Sequence, residues 1–321
     1  NGNEKKPEKE MFSEWAVSML YDSTGYASEP LKFYLEEGKH TISLDAIREP
    51  VVVSYIALKS YEAPMSYEKY LEKYSAMGGD VSKDVSIKIQ GEYSIKTSSK
   101  TIYQTSDRTS SLSEPQDVAK TMLNEIGGDK WQYVGQWIEW SVDVPETGFY
   151  KIIPRSIQDF YSGVYVSRRL YIDGETPFAE AAQLRFNYTD SWQTKTLTDG
   201  NTEFKFFLEK GTHVIRMEVV LGQMAEILSS VETSLNNINS YYRKILMITG
   251  PDPDEYRDYG FERSLPDVIR GLRKEAKNLE SISNKLSEII GYKGDHSITL
   301  DKVAYTVGQM GNYPTKIAAL M

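Results

Sequence analysis

Leu31 to Leu44 reads LKFYLEEGKHTISL, and Phe204 to Met217 reads FKFFLEKGTHVIRM. Lys32, Phe33, Leu35, Glu36, Gly38 and His40 return at one fixed offset as Lys205, Phe206, Leu208, Glu209, Gly211 and His213. A repeat of this kind constrains the fold before any motif does, because it implies one supersecondary unit built twice. Each copy alternates apolar and polar residues, turns at Glu-x-Gly and alternates again, which is the pattern of two strands and a tight connection. Two related β-sandwiches, or parts of two, are the expectation.

The first copy runs on through Glu49-Pro50 into Val51 to Leu58, read as a strand buried on both faces. Ser66 is placed to cap a helix with Tyr67, Tyr70, Leu71 and Tyr74 on one face, stopped by Gly78-Gly79. Strand signals then occupy Val85 to Ile89, Ile95 to Tyr103, Trp137 to Val144, Gly148 to Arg155 and Tyr165 to Ile172, and Asp173-Gly174 suits a type I′ turn. After Val220 the apolar period changes to three and four, from Met224 to Ile245 and again from Leu265 to Ile289, with Ser264 and Gly291 as caps of the second run. A shorter run lies at Leu300 to Met310, and Pro314 to Met321 starts a fourth. Helices with one apolar stripe must bury it, so an antiparallel bundle is expected.

The fold class is therefore α+β, and four parts are expected. They are a partial first sandwich over 11–63, a linker helix over 64–83, a second sandwich over 84–221, and a bundle over 222–321 inserted before the second sandwich's closing strand. The first sandwich, too short for a full set of strands, is expected to lean on the second through the Ser66 helix or to lack partner strands.

Composition removes whole function classes. The 321 residues carry a net charge of -9 and no Lys/Arg block, so nothing neutralises a phosphate backbone and nucleic acid is not an expected partner. No apolar stretch approaches the roughly 20 residues that span a bilayer. No signal-peptide pattern opens the chain, so a mature form or a fragment is expected. With no cysteine there is no disulfide, thiolate or cysteine-bound zinc. A cysteine-free, acidic chain with 23 tyrosines suits the outside of a Gram-positive bacterium.

The stretch GQWIEWSVDVPETGFYKI from Gly135 resembles the paired strands of carbohydrate-binding modules with a galactose-binding-like β-sandwich (jelly roll), and IKIQGEYSIKTSS from Ile87 is similar to their opening strand. IYQTSDRT, EPQDV, SRRLYIDGETPF and the helical region beyond resemble the accessory region of large extracellular solute-binding proteins of carbohydrate ABC importers in Firmicutes. That resemblance implies a cell-surface lipoprotein context, a role in sugar uptake, and an ABC importer permease as partner of the parent protein. The modules usually place a carboxylate where Gln90 stands, so a structural calcium is not supported and no cofactor is expected.

Among the residues themselves, no nucleophile elbow, Walker A loop, GxGxxG turn or HExxH helix is present, and no catalytic residue is assigned. His40 and His213 share one repeat position, which packing explains better than catalysis. Asp252, Asp254, Glu255 and Asp258 lack the spacing of a calcium loop and read as a solvated connection. Trp137 and Trp140 fall on opposite strand faces, so at least one belongs to the core, and Arg168 and Arg169 alternate likewise, with one expected to face solvent. The loop segments able to stack on a sugar ring and hydrogen-bond its hydroxyls nominate Trp131, Tyr161 and Trp192 as a platform, with Arg108, Gln158 and Asp159 as polar partners. The expected function is a non-catalytic, glycan-binding or structural accessory region of an extracellular sugar-uptake protein, with an oligo- or polysaccharide as ligand. The alternatives are an accessory module of a surface glycoside hydrolase and an adhesin-like scaffold.

Overall fold

The computed structural model describes residues 2–12, 14–15, 17–27, 29–45, 51–81 and 84–321. Glu49-Pro50 lies outside the described residues. In chain order the elements are α1 (Tyr67–Ser75), β1 (Lys96–Thr97), β2 (Gln104–Thr105), β3 (Glu125–Ile126), β4 (Trp137–Val144), β5 (Gly148–Tyr150), β6 (Arg155–Ser156), β7 (Tyr165–Ile172), β8 (Leu184–Asn187), β9 (Gln193–Thr194), β10 (Phe206–Leu208) and β11 (Gly211–Val220), followed by the helices α2 (Met224–Thr249), α3 (Phe261–Ser264), α4 (Pro266–Ile290), α5 (Asp295–Asn312) and α6 (Ile317–Leu320).

The architecture is α+β. One antiparallel sheet has the order β1-β4-β11-β7-β8, with β11 held between β4 and β7, and the shorter pairs β5 with β10, β2 with β3 and β6 with β9 make up the remaining strands. Alternation places Val142, Val144, Leu170, Leu184, Ile215 and Met217 on the inner face, against Phe149, Phe178, Phe204, Phe206 and Leu208. The opposite face carries Trp137 with the Arg216 guanidinium 4.2 Å from its ring, so the two tryptophans of β4 do divide between faces, Trp140 packing on the core.

The Ser66 cap forms, with Ser66 Oγ accepting from the Lys69 amide at 3.5 Å, but α1 does not run between two sandwiches. Its tyrosines enter the sandwich core. Tyr67 and Tyr70 lie 4.8 and 5.0 Å from the Phe178 ring, and their hydroxyls accept from the amides of Lys205 (2.9 Å) and Phe207 (2.8 Å), next to β10. Burial pushes the Tyr70 phenol up to about 12, so it stays a neutral core side chain.

Four local expectations change. Among the described residues of 11–63 there is no strand, and Leu31 to Leu44 and Val51 to Leu58 present their apolar side chains to solvent, because no neighbouring strand supplies the ladder. Residues 85–89 form no strand either, and the 95–103 signal condenses to β1. Gly148 to Arg155 is not one strand, since only β5 and the first residue of β6 pair within it. Ser264 does not cap α4. It lies inside α3 and its hydroxyl donates to the Gly260 carbonyl, while Pro266 starts α4 directly.

β11 leads within three residues into α2. α4 packs against both α2 and α5, burying Leu272, Leu279, Ile282 and Leu286, and Gly291 closes it at φ 88°. Among the described residues no helix is long and apolar enough to cross a membrane.

Candidate functional site

A cleft opens between the inner face of the main sheet and the loops 127–132 and 154–161, and it runs toward the first turns of α2. Five of the six nominated residues line it: Trp131, Tyr161, Trp192, Gln158 and Asp159. Arg108 does not. It is exposed and donates from Nη2 to the Lys120 carbonyl at 2.8 Å.

Trp131 ends the short 3₁₀ turn Gly128–Lys130 and is half-buried against the core. Its indole N–H donates to the Gln136 carbonyl at 3.1 Å, and its ring meets Trp140 edge-on at 6.4 Å. The Arg168 guanidinium sits 4.3 Å from the Trp131 ring centre, a cation–π contact strengthened by desolvation. Arg168 donates to the Trp131 carbonyl (3.0 Å) and the Ser167 carbonyl (2.9 Å), and burial lowers its pKa to about 10, so it remains charged at neutral pH. Neither Arg168 nor Arg169 faces open solvent. The 127–131 loop folds over one face of β7 and Tyr21 lies over the other, 5.0 Å from Arg169.

Trp192 builds a second stack of the same kind, with the Arg155 guanidinium 4.7 Å from its ring. Arg155 donates to Ser110 Oγ (2.6 Å) and Ser113 Oγ (3.1 Å), and Ser113 in turn donates to Asp107 at 2.9 Å. Burial works against the Asp107 charge, but donors from Thr109, Ser113 and Trp192 outweigh it and hold its pKa below the usual carboxylate range. Sequence reasoning took Arg155 only as a strand end. A basic residue closing an apolar strand was the sole signal available.

Tyr161 is exposed at the rim, and its hydroxyl reaches Gln132 at 3.5 Å. Phe160 and Tyr188 are exposed too. Gln158 is buried and occupied by its own loop: Oε1 accepts from the amides of Phe160 (3.1 Å) and Tyr161 (2.9 Å), and Nε2 donates to the carbonyls of Tyr161 (3.3 Å) and Val164 (3.2 Å). It shapes the rim. Asp159, next to it, is exposed.

Among the described residues no group of three or more His, Cys, Asp or Glu stands close enough to hold a metal ion. Glu92 is a lone buried carboxylate, and Gln90 beside it brings no charge.

No curated protein sequence matches this chain. Among solved structures, the chain is similar to a Paenibacillus sp. cycloisomaltooligosaccharide glucanotransferase complexed with cycloisomaltoheptaose, at 17% identity and TM-score 0.33 over 50% of this chain and 22% of that one. It is also similar to a family 35 carbohydrate binding module from Clostridium thermocellum, at 22% identity and TM-score 0.21 over 27% of this chain and 60% of that one. The chain thus spans less than two thirds of either neighbour's length. Residues 226–321, which hold α4, α5, α6 and all but the first two residues of α2, match the family model of the bacterial solute-binding protein, 4-helix bundle domain.

Proposed function

We propose that this chain is a non-catalytic accessory region of an extracellular solute-binding protein serving sugar uptake, displayed on the surface of a Gram-positive bacterium and linked through its parent protein to an ABC importer permease. The observation that carries the reading is continuity: the helical part that matches a solute-binding-protein domain leaves β11 without a linker, and β11 is the middle strand of the sheet that floors the aromatic cleft.

In this reading the cleft takes an oligo- or polysaccharide. Trp131, Tyr161 and Trp192 offer ring faces for pyranose C–H groups, and Asp159 on the rim accepts from hydroxyls. Gln158 serves by holding the loop that presents Tyr161, and Arg108 lies outside the contact.

A glycan array on the full chain, followed by calorimetric titration of the best ligand, tests the proposal. Tyr161→Ala should weaken binding about tenfold, the effect of about 1.4 kcal/mol, with unchanged melting temperature, and Trp192→Ala should weaken it as much while lowering the melting temperature, because Arg155 and Asp107 lose a partner. A chain that retains no glycan on the array, or whose affinity survives both substitutions, refutes the cleft as a sugar site.

A further inference from the structure

We propose that residues 31–45 and 51–58 are extended segments able to complete a second β-sandwich, one left open where β10 and β11 close this one.

The two repeat copies share their turn in three dimensions. Gly38 and Gly211 have φ of 144° and 147°, a region in which a side chain is strained, so glycine is required at both. His40 Nε2 and His213 Nε2 each lie 2.7 Å from the carbonyl oxygen four residues earlier, at Glu36 and Glu209. The same sequence therefore makes the same bend with or without a sheet around it, and in the second copy that bend carries the chain from β10 in one sheet to β11 in the other.

What differs is the surroundings. Phe206 is 0% exposed, and its counterpart Phe33 is 65% exposed; Ile215 is 9% exposed, and the identical Ile42 is 52%. Leu35, Leu44 and the run Val51–Leu58 are exposed as well. Among the described residues, none from 32 to 58 shares a main-chain hydrogen bond with another main chain, whereas β11 is paired along both edges. Extended backbone with no main-chain partner and a run of exposed apolar side chains together mark a segment suited to strand addition.

The second copy identifies what fits the first. β10 pairs with β5, and β11 lies between β4 and β7 over a core of aliphatic and aromatic side chains. The occupant of 31–58 is accordingly an open antiparallel β-sandwich with two free edges and an apolar interior. This chain's own sheet cannot serve, since β4 and β7 are already joined to β11.

Two measurements on the full chain decide the matter. Phe33→Asp and Ile42→Asp should leave the melting temperature unchanged, whereas Phe206→Asp and Ile215→Asp should lower it. If the first pair lowers it equally, the segment is already packed within this chain and the proposal falls. For pairing, the probe is a synthetic peptide of residues 135–151, which carries β4 and β5. By hydrogen exchange it should slow the amides of 33–45 about tenfold, and Ile42→Asp should abolish that protection. Unchanged exchange in excess peptide overturns the proposal, as does protection that appears on concentrating the chain alone, which would make a second copy the occupant.

Discussion

His213 Nδ1 lies 2.6 Å from Asp173 Oδ2, in the turn that follows β7, while its Nε2 faces the Glu209 carbonyl at 2.7 Å. With an acceptor at each ring nitrogen, the doubly protonated imidazolium is the form that satisfies both. Burial opposes that charge, but the Asp173 carboxylate and the Glu209 carbonyl outweigh it and raise the pKa above 6.5. A histidine whose folded pKa is raised contributes stability in full below its unfolded value and loses it as pH rises through the folded one. As pH rises from 6.5 through the raised folded value, the melting temperature should therefore fall more in the parent chain than in His213→Gln. Parallel curves for the two proteins would show that the contact does not titrate with folding.

Arg216 holds Glu139 through both Nε (2.8 Å) and Nη2 (2.5 Å) on a single carboxylate oxygen, with the Trp137 ring at 4.2 Å and the Tyr171 ring at 5.7 Å. Glu139 is buried, so removing only the cation strands a charge. Arg216→Met should cost on the order of 3 kcal/mol in chemical denaturation, and adding Glu139→Leu should recover most of it. A single variant within the error of the parent chain would mean that the pair is solvated.

The sequence made the long regular elements plain and left their destinations obscure. β4 and β7 coincide with their predicted ranges because each alternates between a core face and a more polar face. The bundle follows from three-and-four spacing over more than twenty residues. The first repeat forms no strand for a related reason: alternation specifies an extended conformation and a bend, but the strand exists only when a neighbour accepts its hydrogen bonds. Tyr67, Tyr70 and Tyr74 were legible as one helix face, yet nothing in the pattern names Phe178 and Phe204 as what they meet. At the cleft the aromatic residues were visible, whereas the stacking of Arg155 on Trp192 and of Arg168 on Trp131 joins residues 37 apart in each case, beyond any local signal. Gln158 looked like a ligand partner because its loop's return onto the amide cannot be seen in sequence.

Inside the bundle, Gly271 of α4 lies where a Cβ would come 2.4 Å from Cζ of Tyr241. Alanine is the better helix former by about 1 kcal/mol, so intrinsic propensity alone forecasts stabilisation. Overpacking a rigid ring costs about 1–3 kcal/mol and should win. Gly271→Ala is expected to lower stability, and Gly271→Ala with Tyr241→Leu to restore it by opening the space. Stabilisation by the single change would mean that Tyr241 moves aside freely.

Glu92 is 5% exposed, and both its carboxylate oxygens are sealed from solvent, with its own main-chain N–H and the more distant Lys88 ammonium favouring the charge less than burial opposes it. Burial raises its pKa above 4.5, so the native state binds this proton more tightly than the unfolded chain does. For a carboxyl shifted in this direction stability rises as pH falls through the folded value, the reverse of an ion-paired acid. Glu92→Gln keeps the shape and removes the buried charge, so it should stabilise the chain by about 1 kcal/mol at neutral pH. The advantage should shrink as pH falls through the raised folded value and vanish below 4.5, where the parent carboxyl is protonated in both states. Thermal melts across that range, with and without added calcium, check the argument. If calcium stabilises the parent chain and Glu92→Gln removes that gain, the carboxylate serves a cation and the charge is not a cost.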